Sequence, residues 1–196
     1  MESLRIQAKK PVGDVRGWYL EQLLIRLQSI KSHPLEIIET GTFDGKDDAS
    51  RAGNGWSTWY IAKFVKEHAG DFSSIDNRPE ITEAAYTRLK QDELDTYVDL
   101  MTSDSRDHLW NRHLPIDFAY LDSLDDVINL SEYLLVTRLL RRPALVVIDD
   151  CFDVPEFAHM PLNGYNKGKL SLEFATLVGT PTYQLGRALV MEFTDV

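Results

Sequence analysis

Residues 35–68 read LEIIETGTFDGKDDASRAGNGWSTWYIAKFVKEH, and the fold is decided in this stretch. Leu35-Glu36-Ile37-Ile38-Glu39-Thr40 follows Pro34 as a short run rich in β-branched residues, the pattern of a buried strand. A stretch rich in Gly and Asp occupies residues 41–55. Ser57 then opens a helix to His68, with Trp59, Ile61, Ala62, Phe64 and Val65 on its buried side. Upstream, Trp18, Leu20, Leu23, Leu24 and Leu27 recur at helical spacing and predict a helix over residues 15–30.

Downstream, the strand–helix alternation continues. Strands are expected at 72–76, 96–101, 116–121 and 144–148. The helices between them start at Pro79, end near Trp110, and run from Asp126 to Arg141. Parallel neighbours need crossovers, so five strands alternating with helices specify an α/β fold with a largely parallel sheet. Residues 181–184 and 187–193 are separated only by Leu185-Gly186, which predicts an antiparallel hairpin at the sheet's end. The expectation is a mostly parallel seven-stranded sheet in a single domain, with residues 1–34 as a helical extension and 35–196 as the core.

Composition narrows the partners. The chain has 196 residues, 43% hydrophobic and 27% charged, as expected of one soluble globular domain. The formal net charge is −10, and the densest basic pairs are Lys9-Lys10 and Arg141-Arg142, so nucleic acid is not the expected partner. Cys151 is the only cysteine, which excludes an internal disulfide and a thiolate metal cluster. No apolar run reaches membrane-spanning length, and the N-terminal residues do not resemble a secretory signal. A cytoplasmic location is expected; a homodimer is left open.

The acids carry the functional reading. Glu39, Asp76, Asp104, Asp122 and Asp149-Asp150 each lie at or just past the end of an expected strand. In open α/β sheets, ligands bind outside those ends. Any single acid there could simply cap a helix; the whole set points to a ligand. Gly41 and Gly53-Asn54-Gly55 permit tight turns, and Ser57-Thr58 offer hydroxyls at a helix start. A phosphate loop would end in Gly-Lys-Ser or Gly-Lys-Thr, which is absent, and GNGWS lacks the third glycine of a dinucleotide turn.

These motifs, in this order, resemble the class I S-adenosylmethionine-dependent methyltransferases, particularly small-molecule O-methyltransferases. The first motif is Glu39-Thr40-Gly41-Thr42 with Gly53-Asn54-Gly55-Trp56-Ser57-Thr58, and the second is SSIDNRP with Asp76. Ser103-Asp104-Ser105, IDFAYLDS with Asp122, and VVIDDC with Asp149-Asp150 follow. Two departures stand out: residues 43–52 look inserted in the first motif, and Arg141-Arg142-Pro143 replaces a proline-glycine pair. Gly45 is an alternative second glycine of the first motif.

The resemblance implies a Rossmann-like sandwich with helices on both faces, and S-adenosylmethionine as cofactor. It places Asp76 on the ribose hydroxyls, Glu39 and Gly41 at the methionine end, Asp104 at the adenine amino group and Ser105 at the ring edge. Gly55, Ser57 and Thr58 complete the cofactor set. It also implies a small-molecule substrate, with Asp122 as a catalytic candidate. His159, in the loop PEFAHMPLNGYNKGK, is a second candidate, read from its place as a general base over the strand ends.

If strands four and five are neighbours, Asp122 lies about one strand spacing, ~4.8 Å, from Asp149-Asp150. Such carboxylates repel one another and need protonation, solvation or a cation. Oxygen ligands favour Mg²⁺ or another hard divalent ion, with Asp125 or Asp126 completing the shell or capping the next helix. The alternative is that these acids organise substrate or helix starts without a metal. Cys151, after two aspartates, reads as an unreactive thiol. Trp56 either covers the cofactor or packs in the core. A protein that keeps the fold and the cofactor but lacks catalysis is the other functional reading.

Overall fold

The computed structural model describes residues 15–45, 56–123, 125–151 and 167–194. They group into two compact units that divide after Ser105.

In the first unit, α1 (Val15–Ile30) buries Leu20, Leu23, Leu24 and Leu27 completely and packs on α2 (Ser57–His68). Between them runs β1 (Leu35–Thr40), followed after α2 by β2 (Gly70–Asp76), α3 (Pro79–Gln91) and β3 (Asp99–Thr102). Pro79 starts α3 where its missing N–H costs nothing. The strands are parallel in the order β3-β2-β1, pairing Thr40 with Ile75 and Asp76 with Thr102. The third strand starts three residues later than expected. Asp95–Tyr97 instead forms a 3₁₀ turn in which the Tyr97 amide donates to the Leu94 carbonyl at 3.1 Å. Burying Leu94 and Val98 on either side of that turn overrides the strand preference of Thr96 and Tyr97.

In the second unit, α4 (Ser105–Asn111) leads to β4 (Ile116–Leu121), α5 (Asp126–Thr137), β5 (Leu140–Ile148), α6 (Lys169–Leu177), β6 (Thr182–Leu185) and β7 (Ala188–Phe193). β4 and β5 are parallel, β5 and β7 antiparallel, and β6 closes the order β4-β5-β7-β6 as the expected hairpin. Every residue of β4 and β7 is buried. α5 stops short of Arg141, and β5 begins at Leu140 rather than Ala144. The early start lets Leu140 pair with Ile116, while the Arg141 guanidinium grips the fully buried Asp117 carboxylate through both oxygens. α6 occupies a segment for which the sequence suggested no element.

Together the strands make a seven-stranded mixed sheet, mostly parallel with an antiparallel terminal hairpin, as expected. No helix among the described residues is long and apolar enough to cross a membrane.

Candidate functional site

The C-terminal ends of the first unit's strands form one polar edge. Parallel pairing sets Glu39 beside Ser74, and two backbone bonds knit the turns beyond: Gly41 N–H to Ile75 O at 2.8 Å and Ser103 N–H to Asp76 O at 3.1 Å. Gly41 has φ of 85°, the left-handed region that glycine enters without a Cβ penalty. It turns the chain sharply off β1.

Glu39 is fully buried. Its Oε2 accepts from the Thr58 hydroxyl at 2.6 Å and from the Ser74 hydroxyl at 2.6 Å. Thr58 also accepts the Phe43 amide at 3.0 Å, and Thr42 hydrogen-bonds Ser74 at 2.8 Å. Thr58 is therefore a brace that fixes Glu39 and the chain leaving β1. Ser57, one residue earlier, is 1% exposed, and its hydroxyl has no hydrogen-bond partner among the described residues. It is a buried polar group at the start of α2.

Asp76 ends β2 at 6% exposure. Arg78 wraps back onto it: the Arg78 amide and Nε both donate to Oδ1 at 2.9 Å, and a terminal nitrogen donates to Oδ2 at 2.9 Å. The guanidinium itself is 48% exposed. Its pKa is raised, chiefly by this hydrogen bonding to Asp76. Asp104 and Ser105 stand half-buried at the start of α4.

In the second unit, Asp122 follows β4 and Asp149-Asp150 follow β5, with Asp149 N–H bonded to Leu121 O at 3.0 Å. The three carboxylates bring ligand oxygens within 4.8 Å of one another. Asp149 is fully buried; Asp150 sits in the left-handed region at φ 53°, which Asp tolerates better than most residues. Lys167 Nζ lies 2.7 Å from Asp122 Oδ1 and 3.4 Å from Asp150 Oδ2, and Arg187 pairs with Asp150 Oδ1. Burial works against the Lys167 ammonium, but attraction to Asp122 and Asp150 outweighs it and raises the pKa. The Cys151 thiol is pushed up to about 12, mostly by burial, with Asp149 and Asp150 adding to the effect. Burial thus contributes more than the neighbouring charges emphasised by the sequence reading.

Oxygen donors at this spacing suit a hard divalent ion. The oxygens of Asp122 and Asp150, however, already hold Lys167 and Arg187, so an ion using them fits only if the ammonium leaves. Asp125 and Asp126 are engaged elsewhere. Asp125 caps α5, accepting from Val127 N–H at 2.8 Å and Ile128 N–H at 3.2 Å, and Asp126 accepts from Leu170 N–H at 3.1 Å.

Glu39, Gly41, Thr58 and Asp76 thus come together at one strand edge, and Asp122, Asp149 and Asp150 at another. Gly55 and His159 lie outside the described residues, as do residues 46–52 of the apparent insertion. Phe43, at its start, is buried with its ring centroid 5.5 Å from that of Trp56. Trp56 is itself fully buried beneath the Arg88 guanidinium, 4.9 Å from the ring, so it is a core residue. Sequence reasoning missed Ser74, Arg78, Lys167 and Arg187. A serine between the apolar Phe72 and Ile75 of β2, two residues before Asp76, was the available signal for Ser74; the other three are long side chains reaching into the sites from turns or helix starts.

A model of the family described as "Methyltransferase domain" matches residues 51–151, just over half of the chain. No curated protein matches the sequence. Among solved structures, cofactor-bound Rv0187 from MTB is similar at TM-score 0.69 and 19% identity, over 96% of this chain and 84% of that one. The O-methyltransferase TomG from Streptomyces achromogenes, involved in Tomaymycin synthesis and solved with SAM, aligns at TM-score 0.65 and 18% identity, over 95% and 82%. A Clostridium thermocellum protein proposed as an rRNA-methylase aligns at TM-score 0.66 and 12% identity, over 94% and 98%. At such identities the likeness is one of fold.

Proposed function

Because the chain belongs to the methyltransferase-domain family, of the class I S-adenosylmethionine-dependent type, we propose that it methylates a small molecule at oxygen with S-adenosylmethionine as donor. In this reading residues 35–196 form one cofactor-binding core preceded by a helical extension. The observation that carries it is the first unit's strand edge, where Glu39 and Asp76 sit on adjacent parallel strands and Gly41, just past β1, is tied to Ile75 by a backbone hydrogen bond.

The residues suit the cofactor. Glu39, held by Thr58 and Ser74, takes the methionine ammonium, and the Gly41 turn allows close backbone approach. Ser57 supplies a buried hydroxyl still lacking a partner among the described residues, and Gly55, two residues earlier in the sequence, is assigned to the same cofactor set. Asp76 takes the ribose diol once Arg78 swings into solvent, and Asp104 and Ser105 face the adenine. Bound there, the cofactor supplies an electrophilic methyl on a sulfonium. The chain's task is then to orient the acceptor in line and to remove its proton. With an acceptor hydroxyl placed in line with that methyl group, Asp122 or His159 would take the hydroxyl proton.

A net charge of −10 favours a small acceptor over RNA, although the fold is shared with a protein proposed as an rRNA-methylase. Methyl transfer from labelled S-adenosylmethionine to a panel of hydroxylated metabolites, with total RNA as a parallel acceptor, tests the proposal. Label in a small product supports it. Label in RNA alone overturns the substrate class. Cofactor binding without transfer to any acceptor points to the non-catalytic reading.

A further inference from the structure

We infer that Lys167 is the resident cation of the Asp122–Asp149–Asp150 cluster, so that this site holds its carboxylates together with an ammonium in place of a divalent metal ion. The inference stands on the second unit's own geometry and does not depend on which acceptor is methylated.

Three carboxylates with oxygens within 4.8 Å of one another need positive charge between them. Lys167 provides it between two of the three, Asp122 and Asp150, whose oxygens a shared metal ion would also use. Its Nζ donates to Asp122 Oδ1 at 2.7 Å and lies 3.4 Å from Asp150 Oδ2, bridging the ends of β4 and β5. Arg187, from the turn between β6 and β7, takes the other oxygen of Asp150. Two cations against three acids leave the cluster close to balanced. A divalent ion ligated by Asp122 and Asp150 would face the Lys167 ammonium across the oxygens they share, and like charges so close in a half-buried site repel strongly.

The lysine is held there by its backbone rather than draped over the surface. Its side chain is 11% exposed. Gly168, the next residue, passes so close to the end of β5 that a Cβ would fall 2.1 Å from Cys151 Sγ. That close approach sets the chain directly over Asp150. Leu170 N–H then bonds Asp126 Oδ1 at 3.1 Å, anchoring the start of α6 to the start of α5. Two independent contacts thus fix the segment that delivers the ammonium.

The test is a titration of the full chain with MnCl₂ and MgCl₂, read by calorimetry and by thermal melting, for the wild type, Lys167→Met and Lys167→Arg. The wild type and Lys167→Arg should bind neither ion stoichiometrically and melt at the same temperature with metal or with chelator. Lys167→Met, relieved of the competing charge, should bind Mn²⁺ roughly 10-fold or more tightly than the wild type. If Lys167→Met proves too unstable to titrate, Mn²⁺ should restore its melting temperature while leaving the wild type unmoved. A wild type whose melting temperature rises saturably with either ion, or whose metal affinity is unchanged or reduced in Lys167→Met, overturns the inference.

Discussion

At the scale of single residues, the two acidic edges share a device: Asp76 on one, and Asp122 and Asp150 on the other, are paired with cations from the same chain. Arg78 on Asp76 is the clearest case, because its guanidinium covers both carboxylate oxygens that a ribose diol would need. Removing that competitor leaves Asp76 open to the ligand. Arg78→Ala is therefore expected to bind S-adenosylhomocysteine several-fold more tightly by calorimetry, and weaker binding would show that the arginine contacts the ligand instead. Cys151 supports a second expectation. An ordinary thiol ionises near 9.0, whereas this one is pushed up to about 12, so at pH 9 the folded chain keeps the unreactive thiol form. Iodoacetamide at that pH should label the urea-unfolded chain far faster than the folded one; equal rates would refute the assigned environment. The acids themselves were legible in the sequence, because strand ends are marked by composition. Arg78 and Lys167 were not, since nothing in a pattern of hydropathy says where a long cationic side chain will reach.

At the scale of elements, periodicity carried most of the fold. α1, β1, α2 and β4 occupy the expected residues because each has an unbroken apolar pattern closed by Pro, Gly or a polar turn. The pattern failed where tertiary contacts outweighed local preference. Thr96 and Tyr97 carry strand character yet form a 3₁₀ turn, and Leu140 joins β5 through its pairing with Ile116. α6 was unreadable because its polar residues interrupt a short apolar face. The turn after β4 shows how an element positions a site residue. Asn129 and Glu132 are fully buried on α5, where the Asn129 amide donates to Ser123 O at 2.8 Å and Glu132 accepts the Ser123 hydroxyl at 2.6 Å. These bonds fix the backbone next to Asp122. Asp125, capping the same helix, contributes to that placement, and Asp125→Ala should lower stability by about 0.5–2 kcal/mol in urea unfolding. No change in the midpoint would mean that the cap carries no net stabilisation.

At the scale of the whole molecule, a family match over residues 51–151, a mixed seven-stranded sheet and a row of acids at strand ends converge on cofactor-dependent methyl transfer. The proposed function stands or falls on whether the first unit's strand edge binds S-adenosylmethionine through Asp76 and Glu39. The most direct measurement is calorimetric titration of S-adenosylhomocysteine into the wild type and Asp76→Ala, with circular dichroism confirming that both are folded. One-site binding to the wild type is expected, weakened by about 1–3 kcal/mol in the variant, the usual consequence of losing a buried hydrogen-bonding partner. Absence of binding to the folded wild type, or equal affinity in both proteins, would contradict it.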